Sequence, residues 1–124
     1  MFVETSCLVE NANFTGKVMS IRQTCSIESA AKMNPEAQVY LLHSCPIEFN
    51  PEEPVTKLLE YPNIKFWRVT LQSLVSGTPL QDWDYNSALR GSSWPLEHSS
   101  DIVRFVILWK YGGLYMDLDF VVIK

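Results

Sequence analysis

The chain has 124 residues, 47% of them hydrophobic, and a formal charge of −4, enough for one compact domain that buries roughly two thirds of its unfolded surface. The acidic balance argues against nucleic acid, which proteins grip with clustered Lys and Arg. It leaves room for an anionic ligand only with local help from a metal ion, a placed Arg or a helix N-terminus. No signal peptide stands out and no apolar stretch approaches ~18 residues. Because Met1-Phe2-Val3 is already strand-like and Lys124 follows directly on the most informative segment, the expectation is part of a longer protein.

In chain order, Phe2–Thr5 is a short strand candidate, followed by a polar loop from Glu10 to Gly16 that carries the sequon Asn13-Phe14-Thr15. Val18–Met33 follows helical logic, with Val18, Ile21, Cys25, Ala30 and Met33 as its expected buried stripe and Met19, Arg22, Gln23 and Ser26 on the other side; Asn34-Pro35 stops it. Gln38–His43 reads as a strand buried on both faces, the mark of a parallel sheet. Val55–Tyr61 is a short helix and Asn63–Thr70 a third strand. Strand–helix–strand–helix–strand implies βαβ crossovers and a Rossmann-like α/β sheet, with ligands beyond the carboxyl ends of the strands where strand order switches. Gly77–Pro95 is a connection with a short helix near Asp82–Leu89. Glu97–Tyr111 is the clearest helix, capped by Ser99 or Ser100, with Asp101 in its first turn and Gly112-Gly113 at its end. Being apolar nearly all round, it is expected to lie deep. Leu114–Met116 then enters a strand leading to Asp117, and Phe120–Ile123 continues extended.

Cys7, Cys25 and Cys45 lack a metal-ligand spacing. They read as small buried hydrophobes or, in a lumenal protein, as a Cys7–Cys45 pair and one free thiol. The sequon agrees with a secretory compartment.

Two charges interrupt the last helix. Asp101 and Arg104, three apart, share a face and read either as an intrahelical ion pair or as functional groups. Asp117-Leu118-Asp119 follows a glycine pair. Carboxylates one residue apart can clasp a hard divalent cation, Mn²⁺ or Mg²⁺, which bridges the phosphates of a nucleotide diphosphate and neutralises the leaving diphosphate. Arg104 would add a fixed cation, and Asp101 would accept hydrogen bonds from sugar hydroxyls. A lone D-x-D is weak, and the chain supplies its own control in Asp82-Trp83-Asp84, which no apolar helix or strand delivers and which reads as solvated loop acids. His43 and His98 read as structural or capping groups. Trp67 and Trp109 read as core, and Trp94 as the tryptophan most worth testing for sugar or uracil stacking.

The context of the second D-x-D is recognisable. Ser100-Asp101-Ile102-Val103-Arg104, an apolar helix, then Tyr111-Gly112-Gly113-Leu114-Tyr115-Met116-Asp117-Leu118-Asp119 resembles the sugar-binding region of DXD glycosyltransferases. Phe2–Ser6, Cys25–Ala31 and Asn34-Pro35-Glu36 are similar to the α-1,4-galactosyltransferases acting on lactosylceramide and to α-1,4-N-acetylglucosaminyltransferases. The resemblance covers essentially residues 1–124, as the amino-terminal, donor-binding part of one GT-A catalytic domain, with the DXD region at about 55–124. It implies a UDP-sugar donor, Mn²⁺, retention of configuration, a glycolipid or glycan acceptor, and a membrane-anchored parent protein facing the Golgi lumen. Carried over by residue, Asp101 and Arg104 hold the donor sugar, Asp119 ligates the metal, and Asp117 contacts metal, ribose or sugar. Ser100 and Tyr115 are donor contacts, with Glu4, Thr5 and Ser6 near the nucleotide. The family's further donor contacts and acceptor pocket lie beyond the matched part, so no catalytic residue is assigned. Two alternatives stand beside this reading: a non-catalytic nucleotide-sugar-binding module, and a D-x-D-x-V phosphatase with Asp117 as nucleophile.

Overall fold

The computed structural model describes residues 1–4, 19–47, 49–84, 87–88 and 91–123. Thr5, Ser6, Cys7 and the Asn13 sequon, and part of the expected Asp82–Leu89 helix, lie outside them. Three strands, β1 (Phe2–Glu4), β2 (Val39–His43) and β3 (Ile64–Arg68), form a parallel sheet in the order β1-β2-β3. Phe2 pairs with Leu41, and Leu41 in turn with Phe66. Helix α1 (Ile21–Met33) connects the first two strands and a 3-10 helix, η1 (Pro54–Glu60), precedes the third. Helices α2 (Leu71–Val75) and α3 (Pro95–Tyr111) follow.

Strand alternation sends successive side chains to opposite faces, and two cores result. Phe2, Leu41, Val39 and Ile64 pack with Ile27, Ala30 and Ala31 of α1 and with Val55 and Leu58 of η1. Val3 and Leu42 pack with α2 (Leu71, Leu74, Val75) and α3 (Val103, Val106, Ile107). The α/β class therefore follows from strands that bury both faces. Tyr40, at 38% exposed, is the exception in β2.

A fourth segment completes the arrangement that matters for the site. The Met1 amino group donates to the carbonyl of Leu114, and the Met116 N–H donates to the carbonyl of Met1 at 2.9 Å. This is the pattern of a parallel pair, so Leu114–Met116 lies along the free edge of β1, too short to count as a strand. Spatial order then runs 114–116, β1, β2, β3, and the direction of winding switches at β1. Such a switch opens a crevice at the carboxyl ends of the strands.

Several expectations need correcting. Helix α1 starts at Ile21, because Ser20 and Gln23 form a capping box, Ser20 Oγ accepting from the Gln23 N–H and Gln23 Oε1 from the Ser20 N–H. Its buried face is Thr24, Ser26, Ile27, Ala30 and Ala31, while Ile21 is 74% exposed, Met33 46% exposed and Cys25 exposed. The stripe is rotated from its expected position because Ser26 and Ser29 turn inward to meet backbone groups of the carboxyl-terminal segment. Helix α3 begins two residues early, at Pro95, whose missing N–H costs nothing at a helix start. Ser99 and Ser100 are thus inside it rather than at its cap. It is also not buried all round: Phe105 and Trp109 are exposed. Trp67 is exposed too, since β3 is an edge strand, and it meets Tyr111 edge-on at 5.3 Å. Helix α2, unforeseen, is opened by a Thr70–Ser73 capping box.

Cys45 is disulfide-bonded and Cys25 is a free thiol; Cys7, the other half of the expected pair, is not among the described residues. No described helix is long and apolar enough to cross a membrane.

Candidate functional site

Gly112 and Gly113 turn the chain out of α3 at φ of 69° and 85°, a region that side chains rarely tolerate. The chain then runs back along β1 and folds into a tight turn, closed by the Phe120 N–H donating to the Asp117 carbonyl at 3.3 Å. Leu118 and Asp119 occupy the two central positions of this turn. The D-x-D motif is thus a turn rather than a strand end. Leu118 packs against the α1 and η1 core, and Asp119 is exposed.

The turn forms one wall of an open cleft of about 560 Å³, lined by Val3, Ser20, Arg22, Gln23, Ser100, Tyr115, Asp117, Leu118 and Asp119. Four separate stretches of sequence converge there: the first strand, the start of α1, one face of α3, and the turn. Of the expected site residues, Ser100, Tyr115, Asp117 and Asp119 line this cleft together, and Arg104 joins them through Asp117. Arg104 Nη2 donates to Asp117 Oδ1 at 3.2 Å. The guanidinium also lies over the Tyr115 ring, 4.8 Å from its centroid. The intrahelical Asp101–Arg104 pair is not the arrangement found. Asp101 is exposed and outside the cleft lining, although its charge favours the Arg104 cation. Glu4 ends β1 next to Val3, a cleft residue.

The electrostatics follow from this contact. Arg104 is held above its ordinary pKa, chiefly by the Tyr115 hydroxyl and further by the Asp117 and Asp101 charges, with desolvation opposing. Burial raises the Tyr115 phenol, the Asp117 carboxylate adds to this, and Arg104 acts against it. Tyr115 therefore keeps its proton at neutral pH and stays a donor.

As a home for a divalent cation, the site has a suitable but incomplete donor set. Hard cations want oxygen ligands, and two carboxylates are present. Asp117 Oδ1 is engaged by Arg104, whereas Asp119 has no partner among the described residues. No third His, Cys, Asp or Glu joins them among the described residues. The residues thus fit a cation that Asp119 and Asp117 would hold, with oxygen ligands from outside the described residues.

The control pair behaves differently. Asp82 and Asp84 are exposed, and Asp84 accepts from the Ser87 N–H at 3.1 Å and its hydroxyl at 2.8 Å, as a local cap. His43 Nδ1 contacts the Cys45 carbonyl at 2.7 Å and His98 Nδ1 contacts Ser92 Oγ at 2.6 Å, so both serve structure. Trp94 is 64% exposed and outside the cleft lining. Sequence reasoning missed Ser20, Arg22 and Gln23 as cleft residues; the Ser20-x-x-Gln23 capping signature would have placed the helix start there.

Comparison with known proteins gives the family. Residues 20–124 match the family described as glycosyltransferase sugar-binding region containing DXD motif. The lactosylceramide 4-alpha-galactosyltransferase of Rattus norvegicus is 38% identical over 104 residues, covering 81% of this chain and 29% of the relative. The Mus musculus protein of that name is 36% identical over the same coverage. The alpha-1,4-N-acetylglucosaminyltransferase of Homo sapiens is 36% identical across 100% of this chain and 36% of its own length. The chain thus spans roughly a third of these relatives. No solved structure matches it. With a convergent D-x-D cleft and a family match over most of its length, the chain belongs to the glycosyltransferases whose sugar-binding region contains the DXD motif.

Proposed function

We propose that this chain is the donor-binding part of a GT-A-type domain, residues 1–124, in a retaining glycosyltransferase that passes a hexose, galactose or an N-acetylhexosamine, from a UDP-sugar to a glycan or glycolipid in α-1,4 linkage. One observation carries the reading: Asp117, Asp119, Ser100 and Tyr115 line one cleft, and Arg104 is bonded to Asp117 at its edge. The names of the relatives support the linkage and the two sugars.

In this reading Asp119, with Asp117 beside it, holds Mn²⁺ or Mg²⁺. Held there, the cation would supply positive charge to offset that of the leaving diphosphate. Arg104, fixed by Asp117 and Tyr115, presents its remaining donors to the sugar. Asp101, exposed in the first half of α3, accepts hydrogen bonds from sugar hydroxyls. Ser100 and the protonated Tyr115 hydroxyl add neutral hydrogen bonds, and Glu4, at the end of β1, contacts the nucleotide, a role that the sequence resemblance extends to Thr5 and Ser6. The parent enzyme would work at the lumenal face of the Golgi membrane.

The extent of the match favours a second reading for the chain in isolation, donor binding without transfer, because about two thirds of each relative lies outside it. The D-x-D-x-V phosphatase is set aside, since the family match favours glycosyl transfer. Calorimetry with UDP-galactose and Mn²⁺, followed by label transfer to lactosylceramide, separates enzyme from module. Asp119→Ala is expected to abolish Mn²⁺-dependent UDP binding and Asp84→Ala to leave it unchanged. Equal losses in the two variants would show that the wrong acidic pair was chosen.

A further inference from the structure

We infer that Ser26 and Ser29 of α1 are positioning residues that hold the Asp117–Phe120 turn, and through it Asp119, in the shape that takes a cation. The inference rests on the reading of that turn as the metal site. Serine is an indifferent helix former, and a buried hydroxyl is costly unless it is bonded. Ser26 nevertheless has 0% exposure in the middle of a helix. Its hydroxyl donates toward two backbone carbonyls at the ends of the turn, Asp117 O at 3.4 Å and, more closely, Phe120 O. One turn of helix later, Ser29 Oγ accepts from the Val122 N–H at 2.9 Å while donating to the Ser26 carbonyl at 2.8 Å.

Three backbone groups of the segment that carries Asp119 are therefore tied to one face of α1, at residues separated from it by more than ninety positions. None of these ties uses a side chain of the segment. The turn needs them. Its own closing bond is long, at 3.3 Å, and only Leu118 anchors its tip in the core. A two-residue turn held by one long bond would have to be ordered when the cation binds, and that ordering opposes affinity. With the ends fixed in advance, Asp119 stays pointed into the cleft. The same contacts explain why α1 turns Ser26 inward and leaves Ile21 outside.

Alanine is the better helix former, so removing the hydroxyls should leave α1 intact and expose the positioning role. Mn²⁺ binding in the presence of UDP would be followed by the electron paramagnetic resonance signal of free Mn²⁺, and backbone exchange at Val122 by NMR. In Ser26→Ala/Ser29→Ala we expect roughly tenfold weaker Mn²⁺ affinity and at least tenfold faster Val122 exchange, with the helical signal unchanged. Should the double variant not fold, Ser29→Ala alone, at a partly buried position, decides the matter with about a threefold loss. Ser29→Thr keeps the hydroxyl and should stay within twofold of the parent chain. Parental Mn²⁺ affinity and Val122 protection in Ser29→Ala would overturn the inference. Failure of the unmodified chain to bind Mn²⁺ with UDP would instead overturn the metal reading, a different result, because Val122 exchange still reports whether the serines hold the turn.

Discussion

At the scale of single residues, Arg104 is the pivot of the cleft, because one guanidinium serves a carboxylate, an aromatic face and, in the proposed function, a sugar. Its pair with Asp117 is more than a third exposed on both sides, so it contributes only about 0–1 kcal/mol to stability. The value of the arrangement lies in orientation. Arg104→Lys keeps the charge but not the planar fork. It should weaken Mn²⁺-dependent UDP binding roughly tenfold by calorimetry, a size expected for a lost charged hydrogen bond, with a melting temperature close to the parent's. An unchanged affinity would mean that charge alone suffices. Tyr115 gives a pH prediction. Its pKa is raised by burial and by Asp117, so the folded chain holds this proton more tightly than the unfolded chain does. The associated stability is complete below about pH 10, the ordinary tyrosine value, and is lost as pH climbs through the raised value. Urea titrations at pH 9 and 11 should therefore show a smaller alkaline loss for Tyr115→Phe than for the parent chain. Tyr61, raised first by its hydrogen bond to Glu28, behaves in the same direction.

At the scale of elements, the glycine pair after α3 aims the Asp117–Phe120 turn. Gly112 has φ 69° and ψ −156°, a region close to glycine-only, and an added Cβ would meet nothing within 4 Å. The penalty for Gly112→Ala is thus conformational rather than steric, about 1–3 kcal/mol. A fall of several degrees in melting temperature should accompany it, with weaker donor binding, because the exit direction of the chain sets the path along β1. A melting temperature equal to the parent's would mean that the turn relaxes without strain. The glycines, the three strands and the existence of α1, η1 and α3 were legible in the sequence because periodicity and punctuation act locally. The rotation of α1 was not. Its inward face is chosen by hydrogen bonds from Ser26 and Ser29 to a segment far along the chain, and hydropathy counts these serines as outward. Likewise the Arg104–Asp117 pair displaced the nearer Asp101 because the fold brings Asp117 back to α3, a contact across thirteen residues. The convergence of Ser100, Tyr115, Asp117 and Asp119 was legible only as a motif; its geometry depends on the edge of β1.

At the scale of the whole molecule, the sheet and the cleft divide the surface into two kinds. One is the switch point between β1 and the Leu114–Met116 segment, polar and open, where the acids gather. The other is the outer side of α3, where Phe105 and Trp109 are 72% and 63% exposed and, with Thr78, Pro79, Leu80 and Val106, border an apolar hollow of about 360 Å³. Exposed aromatic side chains that border an apolar hollow can promote association. The chain's charge of −4 is modest opposition. Sedimentation velocity should accordingly show an average mass that rises with concentration, and the rise should be suppressed by added arginine or mild detergent. Phe105→Glu/Trp109→Glu should abolish the dependence by placing two like charges on the patch. Because both side chains already face solvent, thermal stability should change by no more than about 1 kcal/mol, and Mn²⁺-dependent UDP binding, proposed to involve Ser100 and Arg104 instead, should persist. A concentration-independent mass for the unmodified chain would mean that these aromatics are not adhesive despite their exposure. Loss of UDP binding in the double variant would mean that the outer side of α3 and the donor cleft are coupled through the helix rather than independent.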